Sequence, residues 1–262
     1  MKQITNETKI YTKPFLAIAL CIAMVYTSCR KTENNPQPAS AKVDYATISS
    51  QIATNLSQSV SGNFGGVNLM DGVDSVSLSG HYGPRHDLNA NLLCGFYTDS
   101  VVNFDKKMGD TTSHTGGDLT FYFNCQNGQA NGYTAYDSLA TTRTTPTYTD
   151  QYYVKQYYTI QALTSDHQFI GVNGDIYFYD QTILKCGCHS VENANYVLKD
   201  LKVNVCGCSR DILSGTATFK AYGHNWSLTG SMTFLGNHMA DIIFDGNPTV
   251  YHINLLTGKV TS

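Results

Sequence analysis

The chain has 262 residues, a formal charge of −3 and only 14% Asp, Glu, Lys and Arg; with no basic block, it argues against a nucleic-acid partner. Tyr (18) and Gly (22) are prominent, while Glu occurs only at Glu7, Glu33 and Glu192. That usage disfavours long solvated helices and suits pleated sheets with tight turns.

The first 28 residues read as an export signal. Lys2, Lys9 and Lys13 form a basic region, and Phe15 to Tyr26 (FLAIALCIAMVY) form an apolar run. The run is shorter than the roughly 20 residues a spanning helix needs, but fits the apolar core of a signal peptide. Val25-Tyr26-Thr27-Ser28-Cys29 follows and resembles the lipobox of Bacteroidota-type lipoproteins. The resemblance implies cleavage before Cys29 and a lipid, diacylglyceryl and palmitate, on that cysteine. It also implies an exported protein anchored in the cell envelope, on the outer membrane, in the periplasm or at the surface. Cys21 is the rival site, with bulky Leu20 before it and a shorter apolar run. Removal of residues 1–28 leaves 234 residues with a formal charge of −5.

Residues 29–42 (CRKTENNPQPASAK) are polar and contain two prolines, which reads as a flexible lipidated tether. A single domain, 43–262, is expected beyond it. Ile48, Ile52, Leu56 and Val60 recur every fourth residue, so an amphipathic helix is expected over 45–60, with Asp44 as its cap and Gly62 at its stop. It should pack on a sheet.

From about residue 65 the period changes to two. The C-terminal third is clearest: Ala217, Phe219 and Ala221 alternate with Thr218 and Lys220. Further alternating runs are broken at Gly223-His224-Asn225, Gly236-Asn237 and Asp245-Gly246-Asn247-Pro248. This is an antiparallel meander. The expected fold is all-β, a sandwich or an open barrel, with one packed N-terminal helix. A short pattern recurs at Gly117, Gly174 and Gly230, each with an apolar residue two later and Phe four later. The segment Ala140 to Gln156, rich in Thr and Tyr and containing Pro146, reads as a long loop entering an edge strand.

Six cysteines remain in the domain: Cys94, Cys125, Cys186, Cys188, Cys206 and Cys208. The last four form two Cys-Gly-Cys motifs. In Leu201 to Cys208, Cys206 and Cys208 fall on the polar side of a strand, opposite Leu201, Val203 and Val205. Four readings stay open for the motifs: cross-links between neighbouring strands, a four-cysteine zinc site beside His189, exposed thiols, or an exchanging disulfide. Zinc is the single cofactor the cysteines suggest, although one residue between paired ligands is fewer than zinc usually takes. Cys94 with Cys125 is a separate disulfide candidate.

Catalytic signatures are absent: there is no Gly-x-Ser-x-Gly, His-Glu-x-x-His or phosphate loop. The histidines are scattered; His81 and His86 flank the turn-like Gly83-Pro84-Arg85. No carboxylate pair of the kind glycosidases need stands out. Ser75, Ser100, Thr111 and Ser138 each follow an Asp in short motifs resembling those Bacteroidota O-glycosylate, which implies hydroxyls on exposed turns. The function expected is a non-enzymatic envelope or surface lipoprotein that binds a glycan or a protein partner. The many tyrosines suit it, each offering a flat apolar face and a polar tip. An extracytoplasmic enzyme, either a hydrolase using Asp and His or a thiol-disulfide protein, is the alternative, and a structural envelope component is a third.

Overall fold

A computed structural model describes residues 43–64, 66–73, 94–95, 97–206 and 210–261. The helix forms as its apolar stripe dictates. Helix α1, Tyr45–Val60, buries Ile48, Ile52, Ala53, Leu56 and Val60, and the Asp44 side chain accepts from the Thr47 backbone N–H. Gly62, at φ +67, takes the left-handed position just past its end. Among the described residues no helix is long and apolar enough to cross a membrane.

Among the described residues eleven strands follow, every one antiparallel to its neighbour in sequence, in the order β1 to β11. They are β1 Tyr97–Met108, β2 Thr111–Gln126, β3 Gln129–Thr144, β4 Tyr148–Ala162, β5 Phe169–Leu184, β6 His189–Asn204, β7 Asp211–Gly223, β8 Trp226–Gly236, β9 Met239–Phe244, β10 Asn247–Asn254 and β11 Val260–Thr261. Among the described residues all strands belong to one continuous sheet and no second sheet packs on it, which favours the open barrel over the sandwich. Among the described residues the first strand begins at Tyr97, and 66–73 runs through a one-turn 3-10 helix, Leu69–Asp71; residues 74–93 lie outside the described residues.

The segment read as a loop, 140–156, is mostly strand. Ala140 to Thr144 completes β3, and Tyr148 to Gln156 lies within β4, an interior strand. Pro146 sits in the turn between them, where its missing N–H costs no ladder bond. Thr145 Oγ1 accepts from the backbone N–H groups of Thr147 and Tyr148 and closes that turn.

The sheet curls around α1. Ser50 Oγ donates to Gly258 O beyond β10 (2.6 Å), while Asn55 Nδ2 donates to Glu192 Oε1 on β6 (3.0 Å). Those helix positions are roughly 7.5 Å apart along the axis. In a flat sheet, β6 and β11 would stand about 24 Å apart. Tyr196 Oη on β6 also donates to Ile52 O, and the Tyr45 ring meets Phe244 and Tyr251. One face of the sheet therefore becomes an interior, lined by Leu119, Phe121, Phe123, Tyr133, Tyr158, Phe178, Phe219 and Ile242.

The recurring glycines mark the bends. A Cβ on Gly117 would lie 2.0 Å from Ser138 O, on Gly174 2.0 Å from Tyr157 O, and on Gly230 2.3 Å from Ile243 O. Each acceptor belongs to the backbone of the adjacent strand, so these positions are where strands approach too closely for any side chain. Tyr158 lies opposite Gly174 and Phe219 opposite Gly230, the larger side chain filling the space the glycine leaves. The sequence pattern is the repeat of a curling device.

Candidate functional site

Alternation along β3 to β7 sends one set of side chains into the core and the other to the outer face. The doublets Tyr152-Tyr153 and Tyr157-Tyr158 each place one ring on either side. Tyr158 is fully buried, whereas Tyr157 is 48% exposed. Strand register arranges the outer residues in rows. One row runs Ala140, Tyr153, Tyr179, Asn193, Tyr222 across five strands. The next runs Ser138, Lys155, Tyr177, Asn195, Lys220, and a third begins Tyr136, Tyr157, Asp175.

Neighbouring contacts hold these rings in place. The Tyr153 and Tyr177 ring centroids are 5.9 Å apart, and Tyr153 Oη pairs with Ser138 Oγ at 2.8 Å. Tyr179 Oη donates to Gln181 Oε1 at 3.2 Å. Lys155 Nζ lies over the Tyr136 ring and Lys220 Nζ over the Tyr222 ring. The outcome is a broad outer surface of six tyrosines (136, 153, 157, 177, 179 and 222) interleaved with Asn193, Asn195, Gln151 and Gln181. Lys155 and Lys220 are offset by Asp175 and by Asp118, which extends the second row beside Ser138, so no single sign of charge dominates it.

A second polar group lies on the inner face, toward the starts of β4 and β6. Arg143 donates through Nε and Nη2 to Asp150 Oδ2, and Thr182 Oγ1 donates to Asp150 Oδ1. Beside them Asp180 and Glu192 face each other across β5 and β6. Burial pushes the Asp180 carboxyl up to about 6, with the nearby Asp150 charge adding to the effect and Arg143 opposing it. Burial likewise pushes Glu192 up to about 7, against the hydrogen bond from Asn55 and helped by Asp180. Two carboxyls that keep protons near neutrality are able to donate them. Sequence reading missed this pair because the two residues are 12 apart; only the β5–β6 register makes them neighbours.

The cysteines separate into unrelated places. Cys94 and Cys125 form a disulfide, with Cα atoms 5.3 Å apart. Cys186 and Cys188 stand before His189 at one end of β6, and Cys206 follows Asn204 at the other. The sixteen residues between them span roughly 50 Å of extended chain. Cys186 and Cys188 therefore lie far from Cys206, and the placement of Cys208, on which the four-cysteine zinc site and the cross-links between strands depend, lies outside the described residues. Cys188 is in a disulfide whose other half lies outside the described residues, as does Cys208. Cys206 is an exposed thiol and Cys186 is exposed. Leu201 and Val203 are buried and Lys202 exposed, as the alternation requires, but the strand ends at Asn204 and the exposed Cys206 lies past it. Among the described residues no three His, Cys, Asp or Glu are grouped to hold a metal.

Of the four hydroxyls expected on exposed turns, Thr111 opens β2 directly after the Gly109-Asp110 turn, and Ser100 is exposed on β1. Ser138 departs from the expectation, lying half-buried within β3 and bonded to Tyr153. Ser75, His81, His86 and Cys29 lie outside the described residues. Comparison with known protein families, curated proteins and solved structures found no match for the chain.

Proposed function

We propose that the protein is a lipid-anchored envelope module that binds neutral glycans on its outer tyrosine face. The observation that carries this reading is the row Tyr153–Tyr179–Asn193–Tyr222, which offers ring, ring, amide and ring across four adjacent strands. Sugar rings have apolar C–H faces and polar hydroxyl edges. Phenol rings match the former, and Asn and Gln, which both donate and accept, match the latter. The near balance of charge supports a neutral ligand over an acidic or basic one. The rings ride on strands inside a wide sheet, so little ordering is needed on binding.

Titration with a panel of neutral polysaccharides, read by calorimetry or affinity electrophoresis, tests the proposal. Tyr153→Ala, Tyr179→Ala and Tyr222→Ala should each weaken binding by roughly 5–10-fold, about 1 kcal/mol per ring. Tyr122→Ala, which removes a ring 49% exposed on β2, should leave it unchanged. Binding that survives the triple variant would overturn the assignment. The anchor is tested separately. A palmitate label on the full chain should disappear in Cys29→Ser, and a label that persists would place the lipid elsewhere. The inner pair Asp180 and Glu192 favours the alternative of an enzyme; hydrolysis of a bound glycan that Glu192→Gln abolishes would establish it.

A further inference from the structure

Asp137 and Gln156 are cross-strand partners on β3 and β4, both pointing into the core. Asp137 is 0% and Gln156 1% exposed. Their side-chain oxygens converge on one donor: Val67 N–H is 2.9 Å from Asp137 Oδ2 and 3.0 Å from Gln156 Oε1. The Gln156 amide cannot turn round, because its Nε2 donates to Ser59 O in the last turn of α1 (2.9 Å). Two acceptor oxygens crowded on a single hydrogen repel each other unless one also carries a proton. A proton on Asp137 Oδ2, donated to Gln156 Oε1, satisfies both. Asp137 Oδ1 has no hydrogen-bond partner among the described residues, which suits the carbonyl of a neutral acid better than half of a carboxylate.

We propose that 66–73 is a proton-locked strap, held on the sheet while Asp137 is a neutral acid and loosened when it ionises. Gly66, at φ +87, makes the lock possible, since a Cβ there would lie 2.5 Å from Gln156 Oε1 and 2.7 Å from Asp137 Oδ2. Gly72, at φ +73, is the second left-handed position, and between the two Val67 and Leu69 are buried. The described ionisable groups bearing on the site are the Tyr158 phenol on β4, Tyr133 on β3 behind it, and Asp71 on the strap itself, which pairs with Arg210 at 3.4 Å. Arg210 is taken up by Asp71 and no described cation acts on Asp137, so an ionised Asp137 gains no charge partner and is expected to reach water by displacing the strap. Burial, opposed by the backbone N–H groups of Val67 and Gln156, pushes this carboxyl up to about 7. The lock therefore opens through neutral pH.

Hydrogen exchange of the full chain tests the strap, with rates corrected for intrinsic pH dependence. Protection of the Val67 and Leu69 amides should fall at least tenfold from pH 6 to pH 8.5, while amides at the centres of β4 and β5 keep theirs. In Asp137→Asn the ratio should not change with pH. Equal pH dependence in the variant and the wild type would overturn the proposal, as would a wild-type strap whose protection is flat. Carbon-13 NMR of the Asp137 carboxyl in the wild type gives a check that needs no variant: a side chain already ionised at pH 6 would also overturn it.

Discussion

Alanine at position 117 is expected to destabilise the domain by about 3 kcal/mol or more, combining overpacking with a left-handed backbone. The added methyl would lie 2.0 Å from Ser138 O and 3.0 Å from Leu139 Cα, at φ +149. Both contacts are with the β3 side of the β2–β3 ladder, so relief requires the strands to part where the sheet bends. For a domain of this size the midpoint of thermal unfolding should fall by roughly 6–12 °C. Gly116→Ala, one residue away, is the matched control. Its methyl would meet only ordinary contacts at 3.6 and 3.7 Å, and reduced freedom of the unfolded chain should leave stability level or slightly raised. Calorimetry of both variants decides the matter, and equal midpoints would show that the bend does not depend on the missing side chain.

Stability should also rise on mild acidification, the opposite of an ordinary acid-sensitive protein. Asp137, Asp180 and Glu192 all hold protons more tightly folded than unfolded, at about 7, 6 and 7 against ordinary values of 3.8, 3.8 and 4.5. For a group raised in this way, the stabilisation is complete below the unfolded value and is lost as pH climbs through the folded one. The domain should therefore be most stable near pH 4–5 and weaken up to about pH 7, with little further change to pH 8. Glu192→Gln isolates one contribution, because glutamine still accepts from Asn55 but cannot ionise. At pH 8 it should be more stable than the wild type, with roughly 3 kcal/mol as the ceiling for a shift of this size. The gap should close at pH 4. Denaturant titrations at the two pH values read the difference, and a wild type that loses stability between pH 8 and pH 5 would contradict the assignment.

The two predictions draw on features of different legibility. Gly117, Gly174 and Gly230 announce themselves by a shared pattern, although the pattern alone does not say why glycine is needed. The reason is a backbone oxygen on the next strand. Asp180 and Glu192 announce nothing, because an acid in a strand of alternating polarity reads the same whether it faces solvent or the core's margin. The stretch 140–156 misled for a related reason. Thr and Tyr suit strands and loops alike, and Pro146 marked a turn between two strands instead of a break in structure.

Local chemistry sufficed wherever neighbours in sequence are neighbours in space. The stripe from Ile48 to Val60, its Asp44 cap, the alternation of β7 to β10 and the opposed rings of the tyrosine doublets all follow from helical and pleated periods. Tertiary structure alone decided what meets across strands. It set Cys186 and Cys188 at one end of β6 and Cys206 at the other, brought Asp137 to Gln156 over Val67, and lined up Tyr153, Tyr179 and Tyr222. Register between long strands is determined by turn geometry and by the packing of the whole interior. A slip of one residue would turn every tyrosine of the outer rows inward while leaving the composition of each strand unchanged. The rows are therefore a property of the assembled sheet, and no strand carries them by itself.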